Sequence, residues 1–294
     1  MLRFMKYKYL YFFISALVIV PGVFSLLKWG LRPAIDFTGG TLIELRLTPP
    51  ENKQIDLATM RQEFEKANVE FSSIQPEGEN TFLVRAKPID QETNLKLERQ
   101  LSENLGQTEE LRFEIVGPTL GKELLQKTLV ALAVASVLIL VFVAYQFKNR
   151  MFGICAILAM FHDSLVVLGT FSLLGHFLGV EVDTLFVTAV LTILSFSVHD
   201  TIVVYDRIRE SKKYFPKVNF EDLVDKAVAE TLGRSVNNSM TVIFMLLALY
   251  LLGGETTKWF VFALLIGTVS GTYSSTFTAA PLLVVWEKLS KRRR

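Results

Sequence analysis

Six apolar segments, each about as long as a bilayer is thick, constrain this chain more than any other feature. The hydrocarbon of a membrane is about 30 Å thick, and roughly 20 helical residues cross it. Backbone groups in hydrocarbon must bond to one another, which a single helix achieves within one segment. The segments are 9–27, 124–147, 151–174, 184–205, 235–252 and 259–286. We therefore predict an α-helical membrane protein with six transmembrane helices.

The placement of lysine and arginine predicts the orientation of these helices. Short cytoplasmic loops carry an excess of both residues. The N-terminal tail, residues 148–150, residues 207–217 and the C-terminus are basic, whereas the loops 175–183 and 253–258 hold one lysine between them. We expect both termini in the cytoplasm. No small-x-small cleavage pattern follows the first segment, so we expect a retained anchor rather than a signal peptide.

About ninety mixed polar residues separate the first two spans and are expected on the opposite side of the membrane. Apolar alternation with period two predicts strands, and a spacing of three to four predicts helices. The strands are 41–47, 69–74, 81–86 and 111–116, the helices are 55–68 and 90–105, and a turn is expected at 76–80. The order β-α-β-β-α-β is typical of a ferredoxin-like α+β domain.

These elements divide the chain into three parts. They are a tail with the first span (1–28), an extracytoplasmic domain (29–121) and a five-helix membrane region (122–294) with a cytoplasmic loop at about 207–234. The domain has no histidine or cysteine, so we expect no enzymatic activity. The net charge of +2 provides no field that would attract nucleic acid. The single cysteine, Cys155, cannot form an intrachain disulfide.

Two glycine motifs border the extracytoplasmic domain. Asp36-Phe-Thr-Gly39-Gly40-Thr precedes its first strand, and Gly117-Pro-Thr-Leu-Gly121 precedes the second span. Adjacent glycines adopt backbone conformations closed to other residues, so both motifs predict tight junctions. No Lys-Ser/Thr follows Gly39 and Gly40, which argues against a phosphate-binding loop.

Two His-Asp pairs, His162-Asp163 and His199-Asp200, fall inside the third and fourth spans. An aspartate near the middle of a spanning helix costs roughly 2.5–3.5 kcal/mol, so such residues usually serve a function. Neighbouring residues on a helix point about 100° apart, so neither pair forms a compact metal-binding face. Proton transfer, hydrogen bonding between helices and a metal shared by both pairs remain open. We favour proton transfer for Asp200. For Asp163, we consider proton transfer and hydrogen bonding between helices equally well supported.

The fourth span carries two polar stripes that are unusual for a helix facing lipid. Thr188, Thr192, Ser195 and His199 form the first, and Ser197, Asp200, Val204 and Arg207 form the second. Positive charge is expected at a cytoplasmic helix end, which is the simplest interpretation of Asp206, Arg207 and Arg209.

Arg234 opens the fifth span, where positive charge at a helix end is again the simplest interpretation. The polar helix start that follows it favours a second interpretation, in which Arg234 reaches inward to Asp200 and ion pairing favours the charged carboxylate. In the sixth span, Gly267-x3-Gly271 and a Ser/Thr-rich run to Thr278 predict close helix packing rather than a function.

The motifs at Asp36, at Gly117 and above all at 198–210, Val-His-Asp-Thr-Ile-Val-Val-Tyr-Asp-Arg-Ile-Arg-Glu, resemble those of the SecF family. These proteins are the smaller membrane subunits of the bacterial SecDF complex and belong to the RND superfamily. The resemblance covers essentially the whole chain. It implies an RND-type half that forms a heterodimer with SecD in the inner membrane.

The resemblance also implies a function. SecF would act at the SecYEG channel, with YajC and YidC as further candidate partners beside membrane lipid. It would use the proton motive force, without another cofactor or metal, to promote late steps in the translocation of preproteins. Asp200 would be the proton-transfer aspartate and Arg234 its pairing arginine. His199, His162 and Asp163 are further candidates for proton transfer from their own chemistry, independently of the resemblance. His199 stands where many relatives carry Asn, and Ser235-Val-Asn-Asn departs from a Thr/Ser-rich pattern.

Two alternative functions come from other classes. A proton-driven RND exporter of small molecules or lipids usually has about twice as many spans in one chain, so this chain's six segments disfavour it. An intramembrane metal-dependent hydrolase would need the two His-Asp pairs to share a metal.

Overall fold

The computed structural model describes residues 3–50, 55–78, 80–147 and 149–292. In these ranges, six helices are long and apolar enough to cross a membrane, which confirms the helical membrane protein. The α-helices are α1 (Lys8–Lys28), α2 (Ile35–Thr38), α3 (Leu57–Lys66), α4 (Gln91–Leu105), α5 (Pro118–Gln146), α6 (Arg150–Leu178), α7 (Thr184–Tyr214), α8 (Phe220–Leu252), α9 (Glu255–Ser274) and α10 (Ala280–Arg292). The strands are β1 (Gly40–Thr48), β2 (Phe71–Gly78), β3 (Thr81–Ala86) and β4 (Gln107–Val116).

The chain separates into two compact units. One comprises Pro33–Leu129, and the other comprises Met1–Arg32 with Val130–Arg294. The predicted turn at 76–80 includes Glu79, and the basic positions include Lys148 and the last two arginines; these four residues lie outside the described ranges.

The Pro33–Leu129 unit holds an antiparallel sheet in the order β2-β3-β1-β4. One face of the sheet packs against α3 and α4. Alternate residues of β1 point into this core, where Ile43, Leu45 and Leu47 are buried. Each helix begins at an aspartate that accepts a backbone N–H: Asp56 from Thr59 at 2.8 Å and Asp90 from Thr93 at 2.9 Å.

The two glycine motifs lie against each other within this unit. Gly39 has φ +73° and Gly40 has φ +139°, backbone conformations that residues other than glycine rarely adopt. A Cβ on Gly39 would lie 2.7 Å from the Cα of Pro118, and one on Gly121 would lie 2.9 Å from the nitrogen of Gly39. Glycine is therefore required where α2 and the start of α5 meet.

The helical unit is built around α6, α7 and the sixth span. The most apolar windows of these three helices are 50–56% buried within the chain, whereas that of α5 is 6% buried. Gly22 and Gly169 let α1 and α6 approach closely, because a Cβ on Gly22 would lie 2.9 Å from the Cα of Gly169. The outer helices therefore expose apolar faces suited to lipid or to a partner.

Much of the segment 207–234, predicted as a loop, is helical. α7 continues to Tyr214 and α8 begins at Phe220, where Asn219 accepts the N–H of Glu221. Glu221 bonds to Lys8 at 2.7 Å and also pairs with Lys288, so the start of α8 forms ion pairs with α1 and with α10. Hydropathy missed this extension because its buried apolar residues alternate with charged ones.

The sixth span contains an interruption at the π turn Ser275–Ala279, between α9 and α10. Pro281 has no N–H to donate to the carbonyl of Phe277, four residues earlier, so the regular α-helical hydrogen-bond pattern lacks one bond just after this turn. Tyr205 of α7 fixes the turn by donating its hydroxyl to the carbonyl of Ala279 at 2.9 Å. Such turns occur frequently at functional sites.

Candidate functional site: two buried carboxylates

Asp163, in the middle of α6, is fully buried and surrounded by hydrogen-bond donors. Its Oδ2 accepts hydroxyls from Ser197 and Ser274, each at 2.6 Å. Its Oδ1 accepts the hydroxyl of Ser270 at 2.6 Å and lies 3.0 Å from Nδ1 of His162. Three helices, α6, α7 and α9, therefore supply the donors to this carboxylate.

His162 extends this network to α1. Its Nε2 lies 2.9 Å from the hydroxyl of Ser15, which is 3.3 Å from the hydroxyl of Thr278. When Asp163 is ionised, Nδ1 donates to it and Nε2 accepts from Ser15, because a neutral imidazole has one donor and one acceptor. The ring of Tyr273 stacks over that of His162 at 6.2 Å. The histidine thus connects Asp163 to a chain of hydroxyl groups.

Asp200, on α7, is buried beside Asp163's network but has its own partners. The hydroxyl of Ser235 lies 2.8 Å from Oδ1 and 2.7 Å from Oδ2, and Ser275 donates to Oδ2. These donors come from α8 and from the π turn. The two buried aspartates were predicted, and Ser197 was placed on the same stripe as Asp200. The donors in the sixth span, Ser270, Ser274 and Ser275, were not predicted, because the Ser/Thr-rich run was interpreted as packing alone. The spacing of Ser270 and Ser274, one helical turn apart, was the available signal.

Most of the donors around both carboxylates are serine hydroxyl groups. A serine can donate to a carboxylate and can also accept from a protonated carboxyl, whereas lysine and arginine can only donate. In the part of the chain that the structure describes, no ion pair includes Asp200, and the one at Asp163 is with His162. The arrangement therefore stabilises charge through reversible donors, which suits groups that bind and release protons.

In the described part of the chain, the polar contacts of Asp200 come from Ser235 and Ser275, and the predicted pairing with Arg234 is not among them. Ser235 points at the carboxylate, and neighbouring residues on a helix point about 100° apart, so Arg234 is directed elsewhere. Its side chain is exposed and lines a cavity of about 980 Å³ between α7 and α8. The role of Arg234 in proton transfer stays a prediction.

The same cavity contains the other charged residues predicted at this helix end. Arg209 donates to Asp206 at 2.8 Å, and Arg207 bonds to Glu210 at 2.6 Å and also to Glu230. These exposed pairs are local contacts between α7 and α8. Asp36, Gly39 and Gly40 belong to the separate sheet-containing unit.

His199 and the first polar stripe of α7 face away from the bundle. Thr188, Thr192, Ser195 and His199 are all exposed on this chain, while Ser197 and Asp200 are buried. Thr188 and Thr192 satisfy their hydroxyls within α7, by bonds to the carbonyls four residues earlier. The two His-Asp pairs therefore differ, because His162 contacts Asp163 whereas His199 points outward.

Comparisons with known proteins assign the chain to a family. Residues 96–289 match the family described as protein export membrane protein SecD/SecF, C-terminal, and residues 24–51 match the SecD/SecF GG motif. Protein translocase subunit SecF of Thermobaculum terrenum is 44% identical over 303 residues, covering 98% of this chain and 94% of the relative. The chain belongs to the SecF family.

Longer relatives of the SecF family contain this architecture as one part. Protein translocase subunit SecDF of Thermus thermophilus is 36% identical over 269 residues, which cover 89% of this chain and 35% of the relative. The crystal structure of SecDF, a translocon-associated membrane protein from the same organism, has a TM-score of 0.86 at 34% identity. That match covers 98% of this chain, which spans only 39% of the length of the SecDF chain.

Proposed function

We propose that this chain is an accessory subunit of the Sec protein translocase. With a SecD partner it would use the proton motive force to promote late steps of protein translocation across the bacterial cytoplasmic membrane. The observation that carries the proposal is the pair of buried carboxylates, Asp163 and Asp200, held by hydroxyl groups that can reverse their hydrogen bonds. Proton binding at Asp200 would change its bonds to α8 and to the π turn, and so bias the packing of the helices.

The exposed polar surface of α7 and α8 supports a partner with its own spanning helices. Beside the stripe from Thr188 to His199, the residues Arg234, Asn237, Asn238 and Thr241 of α8 are exposed within a spanning helix. Polar groups in contact with lipid are costly, so such a surface favours burial against protein. The fused SecDF relative supports SecD as that partner, and we propose that the two six-helix halves meet here.

The remaining partners and the orientation belong to the same proposal. Both termini would lie in the cytoplasm, as the basic residues at the chain ends and near Arg207 and Arg209 favour. The unit Pro33–Leu129 would then be an extracytoplasmic ferredoxin-like domain, which its element order and antiparallel sheet support. It would contact the translocating preprotein at the SecYEG channel.

Replacing one carboxylate tests the proton-driven mechanism. We expect Asp200→Asn to abolish the proton-dependent part of export in a strain that relies on this chain, because the amide cannot bind and release a proton. Pulse-labelling of a secreted protein, with and without an uncoupler, measures this. Asp206→Asn, an exposed carboxylate on the same helix, is the matched control and should retain export. Normal export by the Asp200→Asn variant would refute the proposal, and drug or lipid efflux without a secretion defect would favour a small-molecule exporter.

Loss of hydroxyls from the exposed stripe tests the partner surface. We expect the double variant Thr188→Val with Thr192→Val to lower the amount of SecD that copurifies, without changing thermal unfolding of the chain. Thr170→Val is the control, because Thr170 also donates within its own helix, to the carbonyl of Val166. Unchanged copurification in the double variant would place the partner elsewhere.

A further inference from the structure

Two consecutive serines at the π turn connect the two buried carboxylates. Ser274, the last residue of α9, donates to Oδ2 of Asp163, and Ser275, the first residue of the turn, donates to Oδ2 of Asp200. One peptide unit therefore joins the donor of one carboxylate to the donor of the other. A second connection runs along α7, where Ser197, a donor to Asp163, lies three residues before Asp200.

Each of these serines has a second acceptor within reach. The hydroxyl of Ser274 lies 3.3 Å from the carbonyl of Gly271, and that of Ser275 lies 3.2 Å from the carbonyl of Thr272. Either hydroxyl can leave its carboxylate by rotating about one bond and still donate a hydrogen bond. The cost of an unsatisfied buried donor is thus avoided.

Such a rotation at Ser275 would accommodate protonation of Asp200. A protonated carboxyl gains an O–H donor that needs an acceptor, and the hydroxyl oxygens of Ser235 and Ser275 are its bonded neighbours. If Ser275 accepts from Asp200, its own hydrogen turns to the carbonyl of Thr272. The proton stays on Asp200 in this step, and only the direction of the hydrogen bonds changes.

We propose that Ser274 and Ser275 are positioning residues that couple the protonation of Asp200 to the hydrogen bonding of Asp163. The proposal rests on the proposed function in one respect, that Asp200 binds a proton. When the bond between Ser275 and Asp200 reverses, the preferred distance and angle of that contact change, and the peptide unit between Ser275 and Ser274 would pass the change to the donor of Asp163. The adjacent titratable side chains are His162 of α6, Tyr273 of α9 and Tyr205 of α7, which bonds to the same turn.

Infrared difference spectroscopy on the full chain, purified in lipid with its copurifying partner, tests this coupling. Spectra recorded between neutral and acidic pH contain carboxyl bands, which Asp163→Asn and Asp200→Asn assign to their residues. We expect the Asp163 band to shift when Asp200 is protonated, and expect Ser275→Ala to abolish that shift. Ser275→Thr, which keeps the hydroxyl, should restore it.

Ser164→Ala is the matched control, because Ser164 is next to Asp163 on α6 but donates to the carbonyl of Met160. It should leave the Asp163 shift unchanged. An Asp163 shift of normal size in Ser275→Ala, with Asp200 still titrating, would overturn the coupling and leave the proposed function intact. Absence of any Asp200 band would overturn both.

Discussion

Glu63 of the sheet-containing unit and Asp163 of the helical unit are both buried carboxylates, but their donors differ in kind. Glu63 accepts from the ammonium of Lys66 at 2.7 Å and from the amides of Asn104 at 2.7 Å and Gln100 at 3.1 Å. Asp163 accepts from serine hydroxyls and faces an imidazole. Ammonium and amide N–H groups only donate, whereas hydroxyls and histidine can reverse.

This difference separates a structural carboxylate from one suited to proton binding. Burial alone would raise the pKa of Glu63, but hydrogen bonds from Lys66, Asn104 and Gln100 outweigh it and hold that pKa below its ordinary value of 4.5. Glu63 therefore stays charged and ties α3 to α4. Burial identifies neither role by itself, and the chemistry of the donors distinguishes them.

The largest expected effect is on the folding of the bundle. We expect Asp163→Leu to lower its stability by about 2–4 kcal/mol, because the buried donors of Ser197, Ser270 and His162 lose their acceptor. Thermal unfolding in detergent measures this. Asp163→Asn keeps an acceptor oxygen and should unfold close to the original chain. Equal unfolding of the Leu variant and the original would show that the network contributes nothing to the fold.

The neighbouring positions Ser235 and Arg234 provide the next comparison. Ser235→Ala removes the hydroxyl that contacts both oxygens of Asp200 and should lower the free energy of unfolding by about 1–2 kcal/mol. Arg234→Gln, at an exposed position, should stay within about 0.5 kcal/mol of the original chain. Unfolding in detergent measures both. The opposite order would indicate that Arg234, not Ser235, holds Asp200.

Glu63→Gln should weaken the sheet-containing unit without affecting export. The glutamine side chain lacks the charge that attracts Lys66. The free energy of unfolding of this unit should fall by only about 1 kcal/mol, because Lys66 is itself half exposed to solvent. Hydrogen exchange of α3 amides measures the loss, and export assays should match the original chain. An export defect as large as that of Asp200→Asn would contradict the purely structural role assigned to Glu63.

The smallest expected effect is a loss of stability around α3 at low pH. Because the folded-state pKa of Glu63 lies below 4.5, its contribution to stability is complete above that value and is lost as pH falls through the folded pKa. Hydrogen exchange of α3, corrected for intrinsic rates, should therefore show less protection below about pH 4.5. Glu63→Gln should lack this component, and an identical pH dependence in both proteins would assign it to other groups.

Hydropathy and periodicity were sufficient for the six helices and for the β-α-β-β-α-β order, since burial in lipid or against one sheet face imposes a regular pattern. They did not predict how each helix is rotated about its own axis, which decides the side chains that face the bundle. Arg234 and Ser235 are adjacent, and periodicity alone does not decide which of them faces Asp200. The packing of α7 against α8 decides it. His162 and His199 occupy equivalent places in their His-Asp pairs, yet only His162 contacts its aspartate.

The central claim is that Asp200 binds and releases protons during the working cycle. Proton transfer across proteoliposomes that contain the complex of this chain with its SecD partner, followed by a pH-sensitive dye under an imposed potential, tests it most directly. We expect transfer by the original complex and by Asp206→Asn, and none by Asp200→Asn. Transfer by Asp200→Asn at the original rate would contradict it.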